Sequence, residues 1–267
     1  MHPRLSVHSV AFTGSSPDEL EDYWRRLGVK RLSINSAELL DPQIAAVVAR
    51  GGYAIESVTQ LFVAGPLPIG AAAVAAARDS LSRTIDAAAK AGARCLYLLT
   101  GGRGALTWEA AAETFSAAVA PCAQQARQAG VALLIENASN LYVDIHIAHT
   151  LRDTITLAEM ADIGICIDHF HGWTEAGFEA LVERAMPRTG LIQLSDYVPG
   201  DRALPARAVP GDGAIPIQPF VEQALGLGYA HGFDLELLGP RIEREGRLEA
   251  VRRAAETVGA MLGSLGV

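Results

Sequence analysis

Eight short apolar runs, each followed by a stretch of helical character, constrain this chain more than any other feature. The runs lie at 4–10 (RLSVHSV), 30–35 (KRLSIN), 53–59 (YAIESVT), 94–100 (RCLYLLT), 131–136 (VALLIE), 163–168 (IGICID), 190–195 (GLIQLS) and 232–237 (GFDLEL). Most are continuous rather than alternating, as strands covered on both faces of a parallel sheet require. Helix candidates fill the intervals at 17–27, 41–50, 70–91, 107–129, 147–161, 174–186, 216–227 and 241–263. Ser16-Pro17-Asp18-Glu19 reads as a cap, a first-turn proline and two acids at the positive end of a helix dipole. Asp41-Pro42 and Thr107-Trp108-Glu109 read the same way. Gly28, Gly51, Gly92, Gly130 and Gly228 stand just ahead of strands, where helix-ending glycines belong.

Eight units in 267 residues average about 33 residues each, the size of one βαβ step. Eight such steps close a barrel. The expected fold is therefore α/β, a (β/α)8 TIM barrel, as one domain over 1–267. An open doubly wound sheet is the alternative. It calls for a glycine-rich dinucleotide loop after strand one, and AFTGSSPDE contains no GxGxxG. The Pro/Gly-rich piece 198–216 follows strand seven and reads as a long functional loop rather than a domain boundary.

Composition narrows the class. Half the residues are apolar and 19% are charged, which excludes a disordered chain. The net charge of −8 argues against a nucleic-acid partner. Three widely spaced cysteines (Cys95, Cys122, Cys166) form no CxxC pair and fit a reducing, cytoplasmic setting. The stretch 61–77 carries Pro66, Pro68 and Gly70 and falls short of the roughly 20 apolar residues of a membrane span. No membrane partner is expected.

In a barrel the chemistry gathers at the C-terminal ends of the strands. Strand five ends at Glu136, strand six at Asp168 with His169 and His171 following, strand seven carries Gln193 and ends near Asp196, and strand eight carries Glu236. A single strand-end carboxylate is commonly a helix cap. Three of them with an amide on the fourth strand repel unless a cation compensates, and Glu, Asp and Gln oxygens suit Mg²⁺ or Mn²⁺.

The ordered set Glu136, Asp168-x-x-His171, Gln193 and Glu236, at spacings of 32, 25 and 43 residues, resembles the xylose isomerase-like barrels. These include ketose 3-epimerases, inosose-handling enzymes, hydroxypyruvate isomerases and some 3-dehydroshikimate dehydratases. The resemblance runs from SVHSVAF to DLELLGP. It implies one divalent ion, Mn²⁺ or Mg²⁺ with Co²⁺ and Zn²⁺ as alternatives, held by Glu136, Asp168, Gln193 and Glu236. Many members carry His at the place of Gln193. It implies homodimers or homotetramers, and His171 as a substrate hydrogen-bonder or proton relay.

The ligand chemistry points to a metal-stabilised enediolate of a sugar-like hydroxy-carbonyl compound. Glu136 and Glu236 are the candidate base and acid. The expected activity is isomerase or epimerase. A dehydratase of a cyclic polyhydroxy ketone, such as 3-dehydroshikimate or an inosose, and a non-catalytic binding barrel are the alternatives. The related abasic-site endonucleases use extra histidines on strands three to five, and IESVT, LYLLT and LLIEN have none.

Arg202 is a candidate substrate contact in IQLSDYVPGDR, a phrase like one in the hydroxypyruvate isomerase branch but two residues longer before the arginine. Arg207 shares that loop and hints, with Arg202, at an anionic substrate. Arg103 in Thr100-Gly-Gly-Arg-Gly104 could reach the mouth, or the run is a plain turn. His8 could point into the mouth or sit in the core. His146 and His149, three residues apart with no matching acid, read as packing or substrate-loop residues. Tyr142 stands six residues beyond Glu136, where some family epimerases carry a second acid.

Overall fold

The computed structural model describes residues 1–267. Its strands are β1 (Leu5–His8), β2 (Arg31–Asn35), β3 (Ala54–Leu61), β4 (Cys95–Leu99), β5 (Ala132–Glu136), β6 (Gly164–Asp168), β7 (Thr189–Leu194), β8 (Asp196–Tyr197), β9 (Arg207–Ala208) and β10 (Phe233–Leu235). The order β1-β10-β7-β6-β5-β4-β3-β2 is a closed parallel barrel, while β8 and β9 form a small antiparallel ribbon. The eight apolar runs of the sequence are the eight barrel strands, the eighth being β10.

The helices are α1 (Pro17–Leu27), α2 (Ser36–Leu40), α3 (Pro42–Gly51), α4 (Ala71–Lys90), α5 (Trp108–Ala129), α6 (Leu151–Ala161), α7 (His169–Gly172), α8 (Phe178–Ala185), α9 (Ile217–Gly226), α10 (Pro240–Glu245) and α11 (Arg247–Ser264). None is long and apolar enough to cross a membrane. The expected caps are present. Ser16 and Glu19 form a reciprocal capping box, and Asp41 and Thr107 accept from first-turn amides.

Several boundaries differ from the sequence expectation, four of them for a local reason. Asn35 and Glu38 make a second capping box that starts the extra helix α2. Helix α6 begins at Leu151 because Thr150 is its cap. The last helix is broken at Gly246, whose φ of 86° no helix accommodates. The left-handed glycine that caps α3 is Gly52, at φ 64°, rather than Gly51, which is its last helical residue.

Close packing divides the chain into two compact units, Met1–Glu56 with Leu191–Val267, and Ser57–Gly190. In the first, β1 pairs in register with β10 (Ser6 with Asp234) and with β2 (His8 with Ser33), and β10 pairs with β7 (Asp234 with Gln193). In the second, β3, β4, β5 and β6 pair in sequence, so that Thr59, Tyr97 and Leu134 align and Glu136 is level with Cys166. Leu134 lies over Gly164, where a Cβ would come 2.5 Å from Leu134 Cδ2 and 2.9 Å from the Arg188 carbonyl oxygen. Only glycine fits there.

Helix α5 carries Pro121 in its interior. Proline offers no N–H to the carbonyl four residues back, here Ala117. Arg78 of α4 supplies the missing donor: its Nη2 reaches Ala117 O at 2.9 Å and its Nε reaches Ala118 O at 2.7 Å. Arg78→Met is expected to cost about 1–3 kcal/mol in urea unfolding, the range for hydrogen bonds from a charged donor. In a Pro121→Ala background the cost should shrink, because the helix then satisfies Ala117 itself. Equal costs in both backgrounds would show that the arginine does not compensate the proline.

Candidate functional site

In the unit Ser57–Gly190 the ends of β5 and β6 bring a carboxylate pair together with an imidazole. Glu136, Asp168 and His171 each present a ligand atom within 4.8 Å of the others. Asp168 is fully buried and Glu136 almost so. His171 Nε2 stands 3.4 Å from Asp168 Oδ2. The one-turn helix α7 sets that distance, since Asp168 caps it through Oδ1 accepting from Phe170 N at 3.0 Å. The His171 ring is packed edge-on by Tyr142 and Phe170, with centroids at 5.9 and 5.1 Å.

Asn137 and His146 beside this triad hold its main chain. Asn137 acts as a short piece of strand: its Oδ1 accepts from Asp168 N at 2.9 Å and its Nδ2 donates to Asp168 O at 2.8 Å. His146 accepts from Thr100 N at Nδ1 (3.1 Å), which places its proton on Nε2 for donation to Glu136 O at 2.9 Å. Burial pushes the His146 imidazole down to about 3, so it is neutral. Burial likewise lowers His169 to about 3; its ring stacks on Phe178 at 5.4 Å.

In the other unit, Gln193 Nε2 donates to Glu236 Oε2 at 2.8 Å, and Arg207 Nη2 approaches the same oxygen at 3.1 Å. Arg207 is buried on β9 and also donates to Ser195 Oγ at 2.9 Å. Asp196 is spoken for. Its Oδ2 accepts from Gly211 N (2.9 Å) and Gly213 N (3.0 Å), and its Oδ1 from Tyr197 N (2.8 Å) and Ile215 N (3.0 Å). The Gly211-Asp212-Gly213 segment is thus a turn built around one carboxylate. Gly213 is required, because a Cβ there would lie 2.3 Å from Tyr197 O and 2.4 Å from Asp196 Oδ1.

Residues 11–258 match the family model described as xylose isomerase-like TIM barrel. The chain belongs to that family. The sequence matches no curated protein. Among solved structures, the Sinorhizobium meliloti 1021 protein SMc04130 superposes with a TM-score of 0.83 at 22% identity, covering 95% of this chain and 96% of that one. The IOLI protein with a bound zinc atom gives 0.81 at 13% identity, with 98% of each chain covered. An L-ribulose 3-epimerase gives 0.78 at 19% identity, covering 98% of this chain and 95% of its own. Other similar structures are titled as sugar epimerases, and one as a family 2 AP endonuclease. At these identities the likeness is one of fold.

Two carboxylates and an imidazole are a donor set that divalent ions such as Mn²⁺, Co²⁺ or Zn²⁺ accept, so this xylose isomerase-like barrel has residues that fit a metal. The remaining sequence candidates fall as follows. His8 is buried and its Nδ1 accepts from Val10 N at 3.1 Å, capping a short turn. Arg103 is exposed and bends to its own Leu106 O at 3.4 Å. Arg202 donates to Tyr197 Oη at 2.8 Å on the exposed loop. It is Arg207, noted in the sequence only as part of that loop, that pairs with Glu236. Asn137 gave no signal beyond being polar after a strand end, and its partner lies 31 residues away.

Two outcomes follow. Asp196→Asn replaces an acceptor with a donor facing amides, and is expected to cost about 3 kcal/mol or more in urea unfolding and to open 198–206 to limited proteolysis. The unfolded chain takes a proton at His146 and His169 below about pH 6.5, whereas the folded chain does so only near 3. The unfolded state therefore binds more protons across that window, and stability rises with pH there. Melting of chelator-treated protein should fall from pH 6.5 toward 3, and His169→Phe, which keeps the stacking, should flatten the slope.

Proposed function

We propose that this barrel is a divalent-metal-dependent isomerase or epimerase acting on a small, sugar-like hydroxy-carbonyl compound. The observation that carries the reading is the Glu136, Asp168 and His171 triad, its two carboxylates buried and its ligand atoms within 4.8 Å of one another. The family and the sugar epimerases of the same fold support it. The zinc of the IOLI protein supports a divalent ion. By the family resemblance, Glu136, Asp168, Gln193 and Glu236 would hold that ion, and His171 would face the substrate beside it.

Bound there, the ion supplies Lewis-acid polarisation of a carbonyl and its neighbouring hydroxyl, which lowers the cost of forming an enediolate. The chain's own groups do the rest. Glu136 takes the α-proton onto its carboxylate, while its carbonyl oxygen stays anchored by His146. Glu236 returns a proton to the product and is kept in place by Gln193 and Arg207. The Arg207 guanidinium, 3.1 Å from Glu236 Oε2, offsets the charge left on Glu236 once its proton is given up. His171, wedged between Tyr142 and Phe170, orients a substrate hydroxyl. Tyr142 stands where some family epimerases carry a second acid, which speaks against sugar 3-epimerase chemistry. Loss of a β-hydroxyl in place of reprotonation is the second reading and would make the enzyme a lyase. The three cysteines are buried and form no disulfide, in keeping with a cytoplasmic setting.

Metal analysis of protein purified without chelator tests the reading. About one Mn, Mg, Co or Zn per chain is expected for wild type, with loss in Glu136→Gln and Glu236→Gln. The loaded protein should then turn over a member of a panel of hydroxy-ketones and 3-dehydroshikimate. A wild type that takes up no metal, even from excess Mn²⁺, would sink the mechanism.

A further inference from the structure

A second cluster of oxygens lies on the interior strands and takes no part in the proposed chemistry. Asp234, in the middle of β10, is fully buried, as are Ser6 on β1 and Ser33 on β2. Both hydroxyls donate to the same carboxylate oxygen, Asp234 Oδ1, at 2.6 Å each. Both bonds are short and converge on one oxygen. The other oxygen, Oδ2, has no hydrogen-bond partner, and no Lys, Arg or His pairs with Asp234. An ionised carboxylate in a barrel interior is costly unless a positive charge accompanies it.

We propose that Ser6, Ser33 and Asp234 form a binding site for one monovalent alkali cation. The donors are all hard oxygens. The two hydroxyls spend their protons on Oδ1 and keep lone pairs for an ion, and Oδ2 is bare. One carboxylate balances one positive charge, whereas a Mg²⁺ or Ca²⁺ site commonly gathers more than one carboxylate. The cation ties β1, β2 and β10 together. It also bears on Glu236, which follows Asp234 by two residues and receives its amide bond from Gln193, the register partner of Asp234. The site is independent of the divalent ion, so its test is run on protein stripped of divalent metals.

Thermal unfolding of the full chain is measured in KCl, NaCl and choline chloride at equal ionic strength, with chelator present. Wild type is expected to melt several degrees higher in one alkali salt than in choline, with a saturable dependence on that ion. Asp234→Asn should abolish the difference. Rubidium soaked into crystals should give an anomalous peak beside Asp234. Equal melting in all three salts would overturn the proposal, as would a full alkali effect retained in Asp234→Asn. Should that variant not fold, Ser33→Ala takes its place: about a tenfold rise in the half-saturating cation concentration supports the site, and an unchanged one refutes it.

Discussion

Burying an ionised carboxylate costs free energy unless donors or positive charge surround it, and this chain buries Glu56, Glu136, Asp168, Asp196 and Asp234. Each is accommodated differently. Glu56 meets Arg31 at 2.8 Å. Asp196 is surrounded by four backbone amides and has become part of the scaffold. Asp234 rests on two hydroxyls. Asp168 gives one oxygen to a helix cap and turns the other toward His171. Glu136 and Asp168 are the two that share their surroundings with another ligand-type side chain, and there the arrangement is suited to an ion rather than to a fold.

The supports of the triad act on main-chain atoms. Asn137 fixes the peptide groups of Asp168, and His146 fixes the carbonyl of Glu136. Neither spends a hydrogen bond on the carboxylate that would do the chemistry. The two side chains fix the backbone from which both carboxylates project.

Much of the barrel was legible because strands covered on both faces are written as unbroken apolar runs, and a polar residue at the end of such a run is conspicuous. Glu136, Asp168 and His171 stood out for that reason. The two-residue strands β8 and β9 have no periodicity to read. Helix α2 is a single turn whose capping box, Asn35 to Glu38, is plain once sought. Arginines in a Pro/Gly-rich loop look alike in sequence. Nothing local separates the exposed Arg202 and Arg103 from Arg207, whose burial depends on Ser195 and Glu236, 12 and 29 residues away. Long-range partners such as Asn137 with Asp168 are set by register, which sequence pattern fixes only through the fold.

The carboxylate of Asp196 closes the base of the segment that leaves β7 and returns before α9. Between the paired strands Asp196–Tyr197 and Arg207–Ala208, the tip is fastened by that ribbon and by the turn at Gly211 and Gly213. Lengthening a loop whose ends are already clamped costs little entropy, about 0.6 kcal/mol for each doubling. The tip is therefore where a barrel of this kind can accept insertions, or exchange its tip for another, while β7 and the strand-end acids stay where they are. New specificity can be tried there by descent or by design without renegotiating the stability of the barrel.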